Sequence, residues 1–144
     1  MKIIELRALR GPNYYSGRPV IFLKLDLQEL EYKPTDLIPG FRENLENMIP
    51  TLYEHTCSPG VKGGFLVRID RGTWAGHIVE HVALELQNLI GHKVTFGKAF
   101  TMKEKGVYNI VFRYLDENVG IRAAEMAVDL VSKLFDGEKT DIDP

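Results

Sequence analysis

This sequence of 144 residues has a single cysteine, no long apolar run and almost no excess of charge of either sign. One cysteine, Cys57, excludes a disulfide within the chain and is typical of a reducing compartment. No apolar segment approaches the roughly 20 residues of a membrane span. A net charge of −2 with interspersed signs lacks the basic field of nucleic-acid or membrane binding. We therefore predict a cytoplasmic protein that binds neither nucleic acid nor membrane.

The composition predicts one globular domain with one core. Hydrophobic residues make up 44% of the chain and charged residues 26%. Residues 1–5 already have a strand-like pattern in place of the apolar segment of a signal peptide. We predict a single domain over residues 1–135, and we interpret the polar residues 136–144 as a tail or a domain boundary.

The periodicity of the apolar residues predicts a two-layer α+β domain. Alternation of apolar and polar residues predicts strands at 3–10, 20–27, 65–69, 93–99 and 107–114. Helical spacing predicts helices at 41–49, 74–90 and 118–135, the first of them interrupted by Pro50. Turn-rich connections favour hairpins between the first two and the last two strands. We expect a mixed or antiparallel sheet of about five strands with about three helices packed on it.

The segment from His77 to His81 has the H-x-x-E-H order of inverted zinc peptidases. Gly72 and Thr73 predict a break and an N-cap before the helix that contains it. Two histidines at i and i+4 lie on one helical face, where each can offer a ring nitrogen to one metal ion. Glu80 lies beside them, placed to accept a proton from a water that the metal activates. These residues therefore predict a metal site with its own base.

Helical geometry leaves a second interpretation of the two histidines. On a helical wheel the apolar residues of segment 74–90 form one stripe, and His77, Glu80 and His81 fall on the other side. The histidines are therefore predicted to lie away from the core. The alternative to a metal site is a solvated helix face that carries two incidental histidines.

Three segments of the chain resemble the N-terminal domain of cyanophycin synthetases. They are 7–15 (RALRGPNYY), 54–58 (EHTCS) and 72–87 (GTWAGHIVEHVALELQ). The resemblance continues to Gly120 and so covers nearly the whole chain. It implies a full enzyme that adds aspartate and arginine, with ATP, to a polymer of β-aspartyl-arginine units. It also implies an ATP-grasp domain and a Mur-ligase-like domain, which 144 residues cannot contain, so ATP and magnesium would belong outside this chain.

The first function that the resemblance implies is anchoring of the polymer, cyanophycin, near the ligase sites of a full-length enzyme that we expect to be a homo-oligomer. Each polymer unit presents a guanidinium and a free α-carboxylate, so a binding surface should mix acids and bases. Glu117 or Glu125 would contact the guanidinium. The candidates for the carboxylates are Arg68, Arg71, Arg113 and Arg122.

The second function that the resemblance implies is hydrolysis of the polymer into primers at a zinc-dependent, metallopeptidase-like site. His77 and His81 would be the zinc ligands and Glu80 the general base. Zinc needs a third protein ligand. We favour Glu125, which resembles the distal glutamate of inverted zinc peptidases, over Glu85, two helical turns from His77. His55 and Cys57, which are close to the motif in sequence, are further candidates for this ligand.

Two more functions stay open. S-ribosylhomocysteine lyase also combines H-x-x-E-H with a cysteine ligand, the role that Cys57 would take, although only the short motif corresponds. Alternatively the domain is structural and forms contacts in a synthetase assembly through Tyr14, Tyr15 and Trp74, although these aromatic residues are predicted to lie in the core. We expect the synthetase domain, with polymer binding as the better supported of its two functions.

Overall fold

The computed structural model describes residues 1–56 and 61–137. Cys57 and the predicted tail from residue 138 onward lie outside the described residues. The strands are β1 (Lys2–Leu9), β2 (Val20–Asp26), β3 (Gly97–Thr101) and β4 (Val107–Arg113). They form one antiparallel sheet in the order β1-β2-β4-β3. Both predicted hairpins are confirmed, although β3 begins at Gly97 and not at residue 93.

Four helices accompany the sheet in the described residues: α1 (Phe41–Met48), α2 (Gly64–Arg71), α3 (Ala75–Leu89) and α4 (Glu117–Phe135). Short 3₁₀ helices occur at Gln28–Tyr32, Thr35–Leu37 and Pro50–Glu54. The predicted α+β class is confirmed. Pro50 follows the end of α1 as predicted, because proline cannot donate the backbone hydrogen bond that would extend the helix. None of the helices within residues 1–56 and 61–137 is long and apolar enough to cross a membrane.

The strand predicted at 65–69 is wrong, because this segment lies in α2. Its buried residues Phe65, Leu66 and Ile69 have the i, i+1, i+4 spacing of one helix face. A short apolar run fits a strand and a helix equally well, and here Gly63, with a φ of 80°, precedes the first helical residue. The described residues therefore form four strands and four α-helices, in place of the expected five and three.

The core lies between one face of the sheet and the helices α3 and α4, which also pack against each other. Alternate residues of β2 and β4 point toward these helices and pair across the strands, Ile21 with Phe112 and Leu23 with Ile110. Gly120 of α4 permits the close approach, because a Cβ there would lie 2.9 Å from Ile21 Cγ1. The sheet and α4 thus fix the apolar side of α3 and leave its polar side facing α2 and β3.

The opposite face of the sheet carries a smaller apolar cluster, in which Tyr15 packs on Phe22 with ring centroids 5.9 Å apart. The prediction that Tyr14 and Trp74 lie in the core is wrong, since they are 94% and 36% exposed. Trp74 instead lies at the surface just before α3, where its indole N–H donates to the carbonyl of Glu31 at 2.9 Å. Its exposed ring therefore remains accessible to a ligand.

Candidate metal centre

The H-x-x-E-H segment lies in α3, close to the helix predicted for residues 74–90. Gly72, with a φ of 104°, ends α2, and the extended residue Trp74 precedes Ala75. The predicted N-cap role of Thr73 is wrong, because the N-cap residue is Trp74, whose side chain makes no capping hydrogen bond. Thr73 Oγ1 lies 3.0 Å from His77 Nδ1 instead. The threonine before α3 therefore orients a motif histidine.

The motif side chains are buried, so the predicted location of the histidines away from the core is wrong. Glu80 and His81 are each 7% exposed, and His77 is partly buried. The Phe65 ring of α2 stacks on His81 with centroids 3.8 Å apart and planes at 11°, and it meets the His77 ring edge-on at 5.4 Å. This burial excludes a solvated helix face. The sequence did not predict that Phe65 covers the two histidines, because residues 65–69 were assigned to a strand.

Three side chains of α3 bring donor atoms to one point. His77 Nε2 lies 3.0 Å from His81 Nε2, and Glu80 Oε2 lies 3.7 Å from the same His81 nitrogen. The donor atoms of all three residues lie within 4.8 Å of one another. Within the described residues this is the group that can hold a metal ion.

The second ring nitrogen of His81 faces away from this point. His55 Nδ1 lies 2.8 Å from His81 Nδ1, and His55 Nε2 lies 2.5 Å from Glu85 Oε2. The side chains of His55 and Glu85 are 12% and 8% exposed. Glu85 and His55, two of the candidates for the third ligand, therefore lie behind His81 and not beside its Nε2 atom.

Burial sets the protonation of the centre. Burial lowers the pKa of His77 to about 4, and the positive charge of Arg68 adds to the effect. The pKa of His81 is lowered well below its usual value by burial and by the neighbouring His77 and His55. Burial raises the pKa of Glu80 to about 7. At neutral pH both imidazoles are therefore neutral, as metal ligands must be, and Glu80 titrates where a general base works best.

Gly97, the first residue of β3, lets the edge of the sheet close over Glu80. A Cβ at this position would lie 3.0 Å from Glu80 Cγ, from Glu80 Oε2 and from Leu84 Cδ1. A larger residue would therefore displace one of these side chains. Sequence patterns held no signal for this contact, because it depends on how the sheet edge meets α3.

The centre opens into a cleft of about 920 Å³, which the motif side chains line together with β3. Arg68, Lys98 and Glu54 bring charges of both signs to the same cleft, and Trp74 adds an aromatic surface. The four arginines predicted to bind the polymer all lie within the described residues, and Arg68 is the one that lines the cleft. The cleft thus combines metal donors with mixed charge.

The remaining three arginines lie elsewhere. Arg71 is exposed at the end of α2, Arg113 is partly buried at the end of β4, and Arg122 is exposed on α4. None of these three described residues lines the cleft. A role for them in polymer binding would require a surface that extends beyond it.

The acidic residues predicted on the last helix also lie outside the centre. Glu125 is exposed on α4, and the structure does not bring it to the motif histidines. Glu117, at the start of α4, pairs with Arg10 at 2.8 Å. Cys57, the ligand of the lyase hypothesis, lies outside the described residues. The described donors are therefore those of α3 alone.

These donors fit a zinc ion. Zn–N bonds of about 2.0–2.1 Å in a tetrahedral site separate two ligand nitrogens by roughly 3.3 Å, close to the 3.0 Å between the two Nε2 atoms. Thr73 and His55 engage the Nδ1 atoms of His77 and His81, and the two Nε2 atoms face each other. The two histidines would supply two of the three protein ligands of a catalytic zinc site, and Glu80, as the base, would not be the third.

Comparison with known proteins gives one consistent result. The family model described as "Cyanophycin synthase-like N-terminal domain" matches residues 22–136. The chain is 49% identical over 138 residues to the cyanophycin synthetases of Synechocystis sp. and Crocosphaera subtropica, and 48% identical over 137 residues to that of Geminocystis herdmanii. Each alignment covers 94% of this chain and 16% of the relative. The chain therefore spans about one sixth of the length of these curated relatives.

Proposed function

Because this chain belongs to the cyanophycin synthase-like N-terminal domain family, we propose that it binds cyanophycin and cleaves it with a zinc ion held by His77 and His81. Binding anchors the polymer near the ligase sites of the whole protein, and cleavage supplies short primers. The observation that carries the proposal is the pair of Nε2 atoms 3.0 Å apart, which faces a charged cleft.

The cleft suits a zwitterionic polymer of β-aspartyl-arginine units. Arg68 and Lys98 can pair with the free α-carboxylates, and Glu54 can pair with a guanidinium. The exposed ring of Trp74 offers a guanidinium a face to stack on. A groove with one sign of charge would select polyanions or polycations, whereas mixed charge favours a ligand that carries both.

Amide hydrolysis needs an electrophile, an activated water and a path for protons to the leaving nitrogen. A zinc ion bound at this centre would polarise the scissile carbonyl and acidify the water. Glu80 accepts the proton of the attacking water and donates it to the leaving amine. Because its pKa lies at about 7, the same carboxyl can accept and return a proton at neutral pH. His77 and His81 supply neutral nitrogens as ligands.

In the whole protein the domain would act beside catalytic domains that it does not contain. We place the ATP-dependent and magnesium-dependent ligase steps in an ATP-grasp domain and a Mur-ligase-like domain, within a homo-oligomer. A polymer chain held in the cleft would stay at high effective concentration for both ligase sites. The anchor would therefore favour repeated addition to the same chain.

Incubation of the chain with purified cyanophycin tests hydrolysis. We expect mass spectrometry to show shorter polymer when zinc is added and intact polymer when a chelator is present. The control is polymer incubated with zinc alone. Intact polymer in the presence of zinc-loaded protein would contradict cleavage, while polymer binding would be decided separately.

Titration with a short β-aspartyl-arginine oligomer, followed by calorimetry, tests binding. Arg68→Ala should weaken binding by about 5- to 10-fold, which corresponds to about 1 kcal/mol, the usual net value of one hydrogen bond. Arg122→Ala, a change of the same chemistry outside the cleft, is the matched control and should leave the affinity unchanged. Equal loss in both variants would argue against the cleft as the binding site.

A further inference from the structure

Glu85, His55 and His81 form a row of hydrogen bonds behind the candidate metal centre. The row runs from Glu85 Oε2 to His55 Nε2 over 2.5 Å and from His55 Nδ1 to His81 Nδ1 over 2.8 Å. Glu85 and His81 are one helical turn apart on α3, and His55 comes from the segment before α2. It thus bridges two side chains of the same helix face.

With Glu85 ionised and His55 neutral, the chemistry of these groups fixes the direction of every hydrogen bond in the row. A carboxylate can only accept, so His55 Nε2 must carry a proton and donate it to Glu85. A neutral imidazole has one N–H, so His55 Nδ1 is then an acceptor. His81 Nδ1 must therefore donate to His55, and His81 Nε2 is left with a lone pair that points toward His77 and Glu80.

The surroundings of the row hold it in this arrangement. All three side chains are at most 12% exposed, so water has little access to replace a member. Phe65 stacks on the His81 ring at 3.8 Å and fixes its plane, while its centroid lies 6.1 Å from that of His55. A buried carboxyl without a partner would be costly, so Glu85 has a strong preference for the hydrogen bond to His55.

We propose that Glu85 and His55 are positioning residues that lock His81 in the tautomer with Nε2 unprotonated, and that they do so at a distance from the metal itself. The purpose of the lock rests on the proposed zinc site, but the tautomer is a property of the metal-free protein. His55 also borders the cleft, but the role that we assign to both residues acts through His81. Hydrogen-bond partners of this kind orient metal-binding histidines and raise their affinity for the metal.

Proton–nitrogen NMR of the imidazole rings in chelator-treated protein tests the lock directly. We expect His81 to carry its proton on Nδ1 and His55 on Nε2. In Glu85→Gln the amide can donate, so the row can reverse and place the proton of His81 on Nε2. We expect that variant to show a mixed or reversed tautomer. A His81 proton on Nε2 in the unaltered protein would overturn the proposal.

Zinc affinity, measured by competition with a chromophoric chelator, supplies the second readout. Glu85→Gln should weaken zinc binding by about 10- to 100-fold, the usual effect of losing such a partner. Glu104→Gln is the matched control, because Glu104 is exposed in the β3–β4 connection, and it should bind zinc as the unaltered chain does. Unchanged affinity in Glu85→Gln would overturn the role in metal binding.

The coupling between the two residues gives a further check on the row. In His55→Asn the chain from Glu85 to His81 is broken, so adding Glu85→Gln should cause no additional loss of zinc affinity. Additive losses would overturn a shared mechanism. If the unaltered protein has the expected tautomers but binds no zinc, the proposed function fails while the tautomer lock stands, so the two failures are distinguishable.

Discussion

α3 and α4 pack against each other and against the same face of the sheet, yet they bury different chemistry. α4 buries nine residues, all of them glycine, alanine, valine, leucine or phenylalanine. α3 buries eleven residues, of which Glu80, His81, Glu85 and Gln87 are polar. The two helices pack in similar positions, but α4 buries only apolar residues whereas α3 also buries polar ones.

The difference shows which residues the core needs and which the site needs. Burying a polar group costs free energy unless it is hydrogen-bonded. The side-chain N–H of Gln87 meets this condition by donating to the carbonyl of Arg113 at 3.0 Å, which ties α3 to β4, whereas its Oε1 is buried without a hydrogen-bond partner. The remaining three polar residues lie at the centre or in the row behind it. A helix as apolar as α4 would serve the core equally well, so these residues point to a site.

The largest expected effect comes from a change to the buried carboxyl of α3. Glu80→Gln should lower the rate of cyanophycin cleavage by about 100- to 10,000-fold, because it removes the general base and keeps the side-chain shape. Polymer binding should survive. The measurement is the initial rate of cleavage by mass spectrometry beside calorimetric binding.

The same change on α4 sharpens this comparison. Glu125→Gln removes an exposed carboxyl that the structure does not bring to the histidines, so cleavage and zinc affinity should both stay unchanged. A large loss of zinc binding in this variant would restore Glu125 as a ligand. Equal loss of binding and cleavage in Glu80→Gln would argue against a dedicated base.

Acid should destabilise the metal-free protein through α3. The folded pKa of His77 is lowered from 6.5 to about 4, so its contribution is full above pH 6.5 and is lost as the pH falls toward 4. The loss is of the order of 3 kcal/mol in the free energy of unfolding, and His81 acts in the same direction. Denaturant unfolding between pH 7 and 4, with a chelator present, measures it.

Glu80 opposes this loss of stability at low pH, because its own contribution to the free energy of unfolding grows as the pH falls. Its folded pKa is raised from 4.5 to about 7, so its contribution is full below pH 4.5 and is lost as the pH rises through 7. Glu80→Gln should therefore make the acid loss steeper than in the unaltered protein. An identical pH profile in the two proteins would contradict the buried, coupled site.

The sequence predicted α3 and the strand pairs but not the environment of the histidines. Alternation and helical spacing are local, so they located β1, β2, β4 and the motif helix. The row from Glu85 through His55 depends on a contact between segments about 30 residues apart, and no local pattern encodes it. The analogy with a distal glutamate likewise could not reveal which face of α4 carries Glu125. The rotation of α4 depends on tertiary contacts such as the close fit of Gly120 against Ile21.

Substitutions of one glycine in α4 and one in β3 should separate stability from activity. In Gly120→Ala the new Cβ would lie 2.8 Å from Tyr114 Cβ, so we expect a loss of about 1–3 kcal/mol in stability and unchanged zinc affinity. In Gly97→Ala the new methyl would press on Glu80, so cleavage should fall by roughly 10-fold or more with a smaller loss of stability. Denaturant unfolding and cleavage rates are the measurements. A loss of zinc affinity in Gly120→Ala, or a larger loss of stability than of cleavage in Gly97→Ala, would contradict the view that α4 serves the core and α3 serves the site.

The smallest effects should come from the starts of the two helices. Asp116 caps α4, because its carboxylate accepts a hydrogen bond from the Val119 N–H at 3.0 Å. Asp116→Ala should therefore lower the free energy of unfolding by about 1 kcal/mol and leave zinc affinity unchanged. The hydroxyl of Thr73 contacts His77 instead, so Thr73→Val should weaken zinc binding through the orientation of that ring, without loss of a cap. If Thr73→Val reduced stability without weakening zinc binding, its hydroxyl would have a structural role like that of Asp116. The proposed role of Thr73 in orienting His77 would then be wrong.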